Sequence, residues 1–149
     1  YIADKEDSRL EYAKEFANTI NINKQKINLK FDKAIECVGK LISEHAIDAA
    51  MDILKPKGTL MLLGVCEEKV PIKTRKILER GLNIKGSTRS PRQDYGVVMD
   101  HLSDKNLQKA LFKIIRKERF NGNSINDLKQ AFYDADDAKK YGKVIIEWN

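Results

Sequence analysis

Apolar positions along this chain switch between two rhythms, and the switches mark out its elements. Leu10, Ala13, Phe16 and Ala17 recur at helical spacing, so Ser8 to about Ala17 reads as a helix, with Asp7 placed to cap it. Ahead of it, Tyr1–Ala3 reads as the end of a strand, followed by the polar turn Asp4–Asp7. Thr19–Asn23 alternates polar and apolar through Ile20 and Ile22, the mark of a short strand, and Phe31–Cys37 is a second strand ended by Gly39. Ala46, Ile47, Ala50, Ile53 and Leu54 form one apolar face of a helix from Ser43 to about Leu54, with Ser43 as a possible cap and Pro56 and Gly58 closing it. Thr59–Val65 is almost continuously apolar, which fits a strand covered on both faces, as in a parallel sheet. Arg75–Arg80 is a short helix stopped by Gly81, and Leu82–Thr88 another strand.

Ser90 and Pro91 open a helix to about Leu102, with proline in its first turn. Leu107–Lys117 is amphipathic through Leu107, Ala110, Leu111, Ile114 and Ile115. Ser124 with Asp127 resembles a capping box at the start of a helix to about Ala138, and Lys143–Trp148 closes the series as a strand. Strands and helices therefore alternate almost throughout. That order predicts an α/β fold with a helix-covered, mostly parallel sheet in a single domain over residues 1–149.

Composition narrows the classes. The 149 residues are 42% hydrophobic and 34% charged, a balance that suits a packed globular chain rather than a disordered one. No apolar run approaches the roughly 18–20 residues of a membrane-spanning helix, and the first ten residues lack the basic start and apolar middle of a signal peptide. With only Cys37 and Cys66, a disulfide scaffold is not expected, and a reducing cytoplasm is the expected location. Lys and Arg total 28 against 22 Asp and Glu, a formal charge of +6. The basic residues mostly interleave with acidic ones; the densest group, Lys113, Arg116, Lys117 and Arg119, reads either as a solvated face or as a stripe tracking phosphates. Few aromatic residues, 7%, and no recognisable RNA- or DNA-binding motif argue against the second reading.

Catalytic motifs are missing from the sequence. The eight glycines are isolated, with no G-x-G-x-x-G and no Walker pattern, and no G-x-S-x-G elbow occurs. Cys37, Cys66, His45 and His101 lack metal-ligand spacing. What remains is a set of strand ends, where open α/β sheets bind their ligands. Asp4 follows the first strand; an acid there can accept both hydroxyls of an adenosine ribose and repel a 2′-phosphate, or it can be an ordinary turn or capping residue. Val38 can pack on an adenine, and Gly39 lets backbone approach closely or simply turns the chain. Backbone at Gly64-Val65 and at Gly86-Ser87-Thr88 can hold a carboxamide, and Lys143 can reach a diphosphate or sit in solvent.

The order of these elements carries a resemblance. Ile2-Ala3-Asp4 with Arg9-Leu10 and Ala13-Lys14-Glu15, then Phe31 through Gly39, then Leu54 through Thr59 with Leu63-Gly64-Val65, then Ile84 through Ser87, resembles the medium-chain dehydrogenase/reductase superfamily of zinc-type alcohol and polyol dehydrogenases. The likeness covers nearly the whole chain. Within it, ECVG, LLGV, KTRKILERGLNIKGSTRS, INDLKQAF and YGKVIIEW resemble the bacterial ribulose-5-phosphate reductase (ribitol-5-phosphate dehydrogenase) branch, which supplies ribitol phosphate for teichoic-acid or capsule synthesis.

The resemblance implies the C-terminal part of such an enzyme: a partial Rossmann-like, doubly wound parallel sheet truncated on its N-terminal side. The first strand, its Gly-rich loop and the N-terminal zinc and catalytic domain are then absent from this stretch, and no catalytic or metal residue is expected within it. It implies hydride transfer between NAD or NADP and a small polyol or ketose, most specifically ribulose 5-phosphate and ribitol 5-phosphate, with zinc held in the missing domain and the fragment inactive alone. Asp4 matches the acid on the adenosine ribose and Arg9 a basic residue contacting it. Val38 matches a residue on the adenine, and Lys40 a polar contact nearby. Gly64 and Val65 match backbone flanking the nicotinamide, Ser87 and Thr88 the strand end receiving its carboxamide, and Lys143 a basic group near the diphosphate. Arg89 is a candidate for gripping a substrate phosphate, or a surface residue of a loop. Reductases of that branch tend to use NADPH and lack an acid where Asp4 stands, whereas Asp4 favours NAD by charge. A homodimer through a sheet edge near Leu82–Ser87 is also implied. The alternatives are a general alcohol or sorbitol-type dehydrogenase and a non-enzymatic basic module binding nucleic acid.

Overall fold

The computed structural model describes residues 1–137 and 141–148. They form two compact units, one built from residues 1–26 and the described residues beyond 90, the other from residues 27–90. Every strand pairing in them is parallel.

In the contiguous unit, β3 (Phe31–Glu36), α2 (Ser43–Ile53), β4 (Leu54–Leu62), α3 (Thr74–Arg80) and β5 (Asn83–Gly86) alternate, and the sheet runs β3-β4-β5. Its core is one cluster of Ile47 and Met51 from α2, Leu54 and Leu60 from β4, and Leu82 ahead of β5. Met51, Leu54 and Leu60 are completely buried, which is why the apolar stripe of α2 and the apolar run of β4 dictate this packing. β4 starts earlier than its apolar run suggests. Leu54 pairs with Phe31, the register then shifts, and Thr59 pairs with Lys33, so Pro56-Lys57-Gly58 bulges out of the ladder. Lys57 takes a left-handed φ of 63° in that bulge. Gly81 ends α3 at φ 59°, as its position predicts. The Arg80 guanidinium donates to the Met51 and Leu54 carbonyls and ties α3 to the end of α2.

The other unit holds two parallel pairs. β1 (Ile2–Asp4), α1 (Asp7–Ala13) and β2 (Thr19–Asn21) make one β-α-β turn, with Leu10, Ala13 and Ile20 buried. After α4 (Arg92–Leu102) and α5 (Lys105–Phe112), β6 (Ile115–Asn121), α6 (Ile125–Asp136) and β7 (Lys143–Glu147) make another.

Several local expectations are corrected. The amphipathic stretch Leu107–Lys117 is not one helix: α5 stops at Phe112, and Ile115 opens β6, paired with Lys143. β-Branched Ile114 and Ile115 suit the extended state, and pairing with β7 outweighs the helical spacing. α1 ends at Ala13, four residues short of Ala17. Asp7 lies inside its first turn rather than capping it; its carboxylate takes hydrogen bonds from Lys24 and Asn21, which lower its pKa. Ser43 makes no cap bond and is buried instead. Half of the box at α6 is present: Ser124 Oγ accepts from the Asp127 amide, but Asp127 accepts from the Asn121 amide while the Ser124 amide donates to the Asn121 carbonyl. The expected end of α6, Ala138, lies outside the described residues.

Candidate functional site

In the first unit, Asp4 stands at the carboxyl end of β1. The chain must turn there to enter α1, and the Asp4 carboxylate braces the turn. Its Oδ1 accepts from the Glu6 amide at 2.9 Å, and its Oδ2 accepts from Arg9 Nη1 at 3.3 Å. Both side chains remain about one-third exposed, at 28% for Asp4 and 35% for Arg9. A carboxylate has about four acceptor positions, so these two contacts leave room for ligand hydroxyls. The sequence pairs Asp4 with Arg9 only by resemblance; the structure joins them directly.

In the second unit, the ends of β3 and β4 form one tight knuckle. Glu36, the last residue of β3, is 4% exposed. Its Oε1 accepts from the amides of Val38 at 2.6 Å and Gly39 at 3.0 Å, while its own carbonyl accepts from Leu63 and Gly64. The Lys40 amide donates to the Val65 carbonyl at 2.8 Å. Gly39 and Lys40 both adopt left-handed φ, 65° and 55°. The two segments meet so closely that a Cβ on Gly64 would lie 2.3 Å from the Gly39 nitrogen and 2.7 Å from both Glu36 carboxylate oxygens. A Cβ on Gly39 would lie 2.6 Å from the Val65 carbonyl oxygen. Val38 and Val65 are left more than half exposed beside this backbone. Burial and then the Glu36 charge push the Cys37 thiol up from its ordinary pKa.

Ser87 follows β5 and donates its amide to the Leu62 carbonyl, so the ends of β4 and β5 are also joined. Gly86 faces open space, and Arg89 sits beyond Thr88 at a left-handed φ of 58°. Lys143 differs from the other candidates in position: it begins β7, with its amide on the Ile114 carbonyl, rather than following a strand's carboxyl end.

Val38, Gly39, Lys40, Gly64 and Val65 are therefore brought together, Asp4 and Arg9 are brought together, and Ser87 joins the end of β4. Gly39 and Gly64 have no room for a side chain because the ends of β3 and β4 pack backbone to backbone, with the Glu36 carboxylate between them. Metal is different: among the described residues no group of three His, Cys, Asp or Glu side chains is placed to hold one. Zinc does not fit these residues. Glu36 is the part of the knuckle that the sequence reading missed; its signal is a carboxylate ending the strand segment Phe31–Glu36 immediately before a glycine turn.

Parallel strands alternating with helices, with turns at the strands' carboxyl ends, are the arrangement of open α/β nucleotide-binding folds. Residues 1–104 match the model of the zinc-binding dehydrogenases, and the chain belongs to that family. It is similar to ribulose-5-phosphate reductase 1 of Staphylococcus aureus, 36% identical over 149 residues, covering 99% of this chain and 43% of that protein. It is similar also to the ribulose-5-phosphate reductase of Bacillus spizizenii, 33% identical over 148 residues, with the same coverage of 99% and 43%. The crystal structure of S. aureus TarJ in complex with NADPH superposes with a TM-score of 0.89 at 35% identity, covering all of this chain and 47% of that one. The chain thus spans less than half the length of the curated relatives it matches.

Proposed function

We propose that these residues are the dinucleotide-binding part of an NAD(P)-dependent, zinc-assisted oxidoreductase that interconverts ribulose 5-phosphate and ribitol 5-phosphate, with zinc held outside this stretch. The observation that carries the reading is the Asp4–Arg9 pair at the carboxyl end of β1. Asp4 accepts the adenosine ribose hydroxyls and Arg9 orients it. Val38 packs on the adenine, and Lys40 lies beside it. Gly39, Gly64 and Val65 give close backbone contact, and Gly64 and Val65 flank the nicotinamide. Ser87 and Thr88 receive the carboxamide, and Lys143 approaches the diphosphate. When bound, the nicotinamide supplies or accepts the hydride. The chain's own task is to fix the ribose, orient the ring and keep its reacting face at one place.

The charge of Asp4 favours NAD, and the facing Arg9 softens that preference; against it stands the 35%-identical S. aureus TarJ, which is seen with NADPH. Arg89 is the proposed grip on the substrate phosphate; Arg89→Ala should raise KM for ribulose 5-phosphate and leave that for an unphosphorylated ketose unchanged. A homodimer through β5 is part of this reading; β5 is one of the two edge strands of the order β3-β4-β5. The two free cysteines suit a cytoplasmic setting. A nucleic-acid role is disfavoured by the use made of the basic cluster: Lys113 pairs with Glu15, Arg116 donates to the Tyr141 and Asp134 carbonyls, and Arg119 pairs with Glu147.

The test is to mix the full-length parent with NADH or NADPH and ribulose 5-phosphate, and follow loss of the reduced-nicotinamide absorbance. Consumption that depends on the sugar phosphate supports the reading. Tight dinucleotide binding with no turnover of any polyol or ketose phosphate overturns the substrate, and no dinucleotide binding at all overturns the class.

A further inference from the structure

We infer that Glu36 is a positioning residue for the dinucleotide, acting through the loop it clamps rather than by touching the ligand. The inference rests on the dinucleotide-binding reading above.

A carboxylate is costly to bury unless its oxygens are satisfied. Glu36 is nearly enclosed, yet it projects from the end of β3, where a plain apolar residue would continue the strand. Its Oε1 takes both the Val38 and the Gly39 amides. These two donors face the same point only because the chain reverses sharply at Gly39 and Lys40, both in the left-handed region. For Lys40 that conformation is unfavourable, so something must hold it. The carboxylate does so from one side, and the Lys40 amide on the Val65 carbonyl does so from the other. Glu36 thereby fixes two segments at once: its side chain holds 38–39, and its carbonyl holds Leu63 and Gly64. The absence of a Cβ at Gly64 is what lets this carboxylate lie between them.

The consequence is that Val38 and Val65, both exposed, are displayed at a fixed separation from one rigid knuckle. Without Glu36, the left-handed turn relaxes and the two side chains lose register. Ligand affinity then falls although no ligand contact has been removed.

The experiment compares Glu36→Ala, Glu36→Gln and Glu36→Asp in the full-length parent. Gln keeps an oxygen at the end of a side chain of the same length; Asp keeps the charge but shortens the reach to the two amides. Two readouts are taken: hydrogen exchange at the Val38 and Gly39 amides, and Kd for NADH and NADPH by nicotinamide fluorescence. We expect exchange at those two amides to rise, and both Kd values to weaken, by about tenfold or more in Ala and Asp, with Gln within about threefold of wild type. If Ala does not fold, the Gln–Asp comparison decides alone. Dinucleotide affinity unchanged in Asp, or Gln behaving like Ala, overturns the inference. Failure of the wild type to bind either dinucleotide overturns the functional reading instead, and the amide-exchange arm still decides whether Glu36 clamps the loop.

Discussion

Removing the charge of Asp4 should move the balance between NAD and NADP, by an amount that Coulomb's law bounds. A 2′-phosphate at the ribose position brings about two negative charges to roughly 5 Å from the carboxylate. At an effective dielectric of about 40, suited to a partly exposed group, each costs about 1.7 kcal/mol, or about 3.3 kcal/mol together. Arg9, 3.3 Å from Asp4 Oδ2 and itself about one-third exposed, offsets part of this. If it cancels about half, the remaining discrimination is about 1.5–2 kcal/mol, which is roughly ten- to thirty-fold in relative kcat/KM. Asp4→Gly in the full-length parent should therefore narrow the gap between NAD and NADP by that factor. Asp4→Asn should do the same while still accepting from the Glu6 amide, separating charge from turn geometry. Arg9→Ala should widen the gap in favour of NAD, because it leaves Asp4 unopposed. The assay is kcat/KM for each cofactor at saturating sugar phosphate. A ratio that moves by less than about twofold in both Asp4 variants, or a wild type that uses NADPH better than NADH, refutes the electrostatic argument.

Gly64→Ala should destabilise the chain by about 2–4 kcal/mol and abolish dinucleotide binding, because its Cβ would meet main chain and a held carboxylate rather than a yielding side chain; urea unfolding and a fluorescence titration check both. Met51→Ala, at a fully buried position, should cost about 2–5 kcal/mol in denaturant unfolding followed by circular dichroism, with cofactor specificity unchanged. The Asp48 carboxyl is held below its ordinary pKa by hydrogen bonds from Lys73 and Lys76. A depressed folded value contributes stability above the unfolded pKa and loses it as pH falls. The Tm advantage of wild type over Asp48→Asn should thus be constant near neutrality and shrink below about pH 4.

Much of the architecture is legible in the sequence because it is driven by burial. The stripe Ile47–Met51 and the run that begins at Leu60 bury against each other, and that fixes α2 on β4. Glycine punctuation is legible for the same local reason, as at Gly81. β6 is not legible: IRKERFN has no clean alternation, and its state is decided by β7, whose paired residues lie 26 to 28 positions away. The candidate site divides similarly. Strand ends draw the eye to Asp4 and Gly39, although an acid or a glycine there serves equally as an ordinary turn residue. The roles of Gly64 and Glu36 exist only once β3 and β4 are aligned, Glu36 beside Leu62, and no spacing along the chain encodes that meeting.

One unit is continuous and the other is assembled from both arms of the polypeptide, and this ordering constrains how the molecule is made. During synthesis the β1-α1-β2 turn emerges before residues 27–90, and the rest of its unit lies beyond residue 90. Joining the arms across residues 27–90 as a flexible tether would cost about 4 kcal/mol of loop-closure entropy. If the central unit condenses first, that tether is already short when α6 and β7 leave the ribosome, and the early arm waits as a nascent, unfinished half until they do.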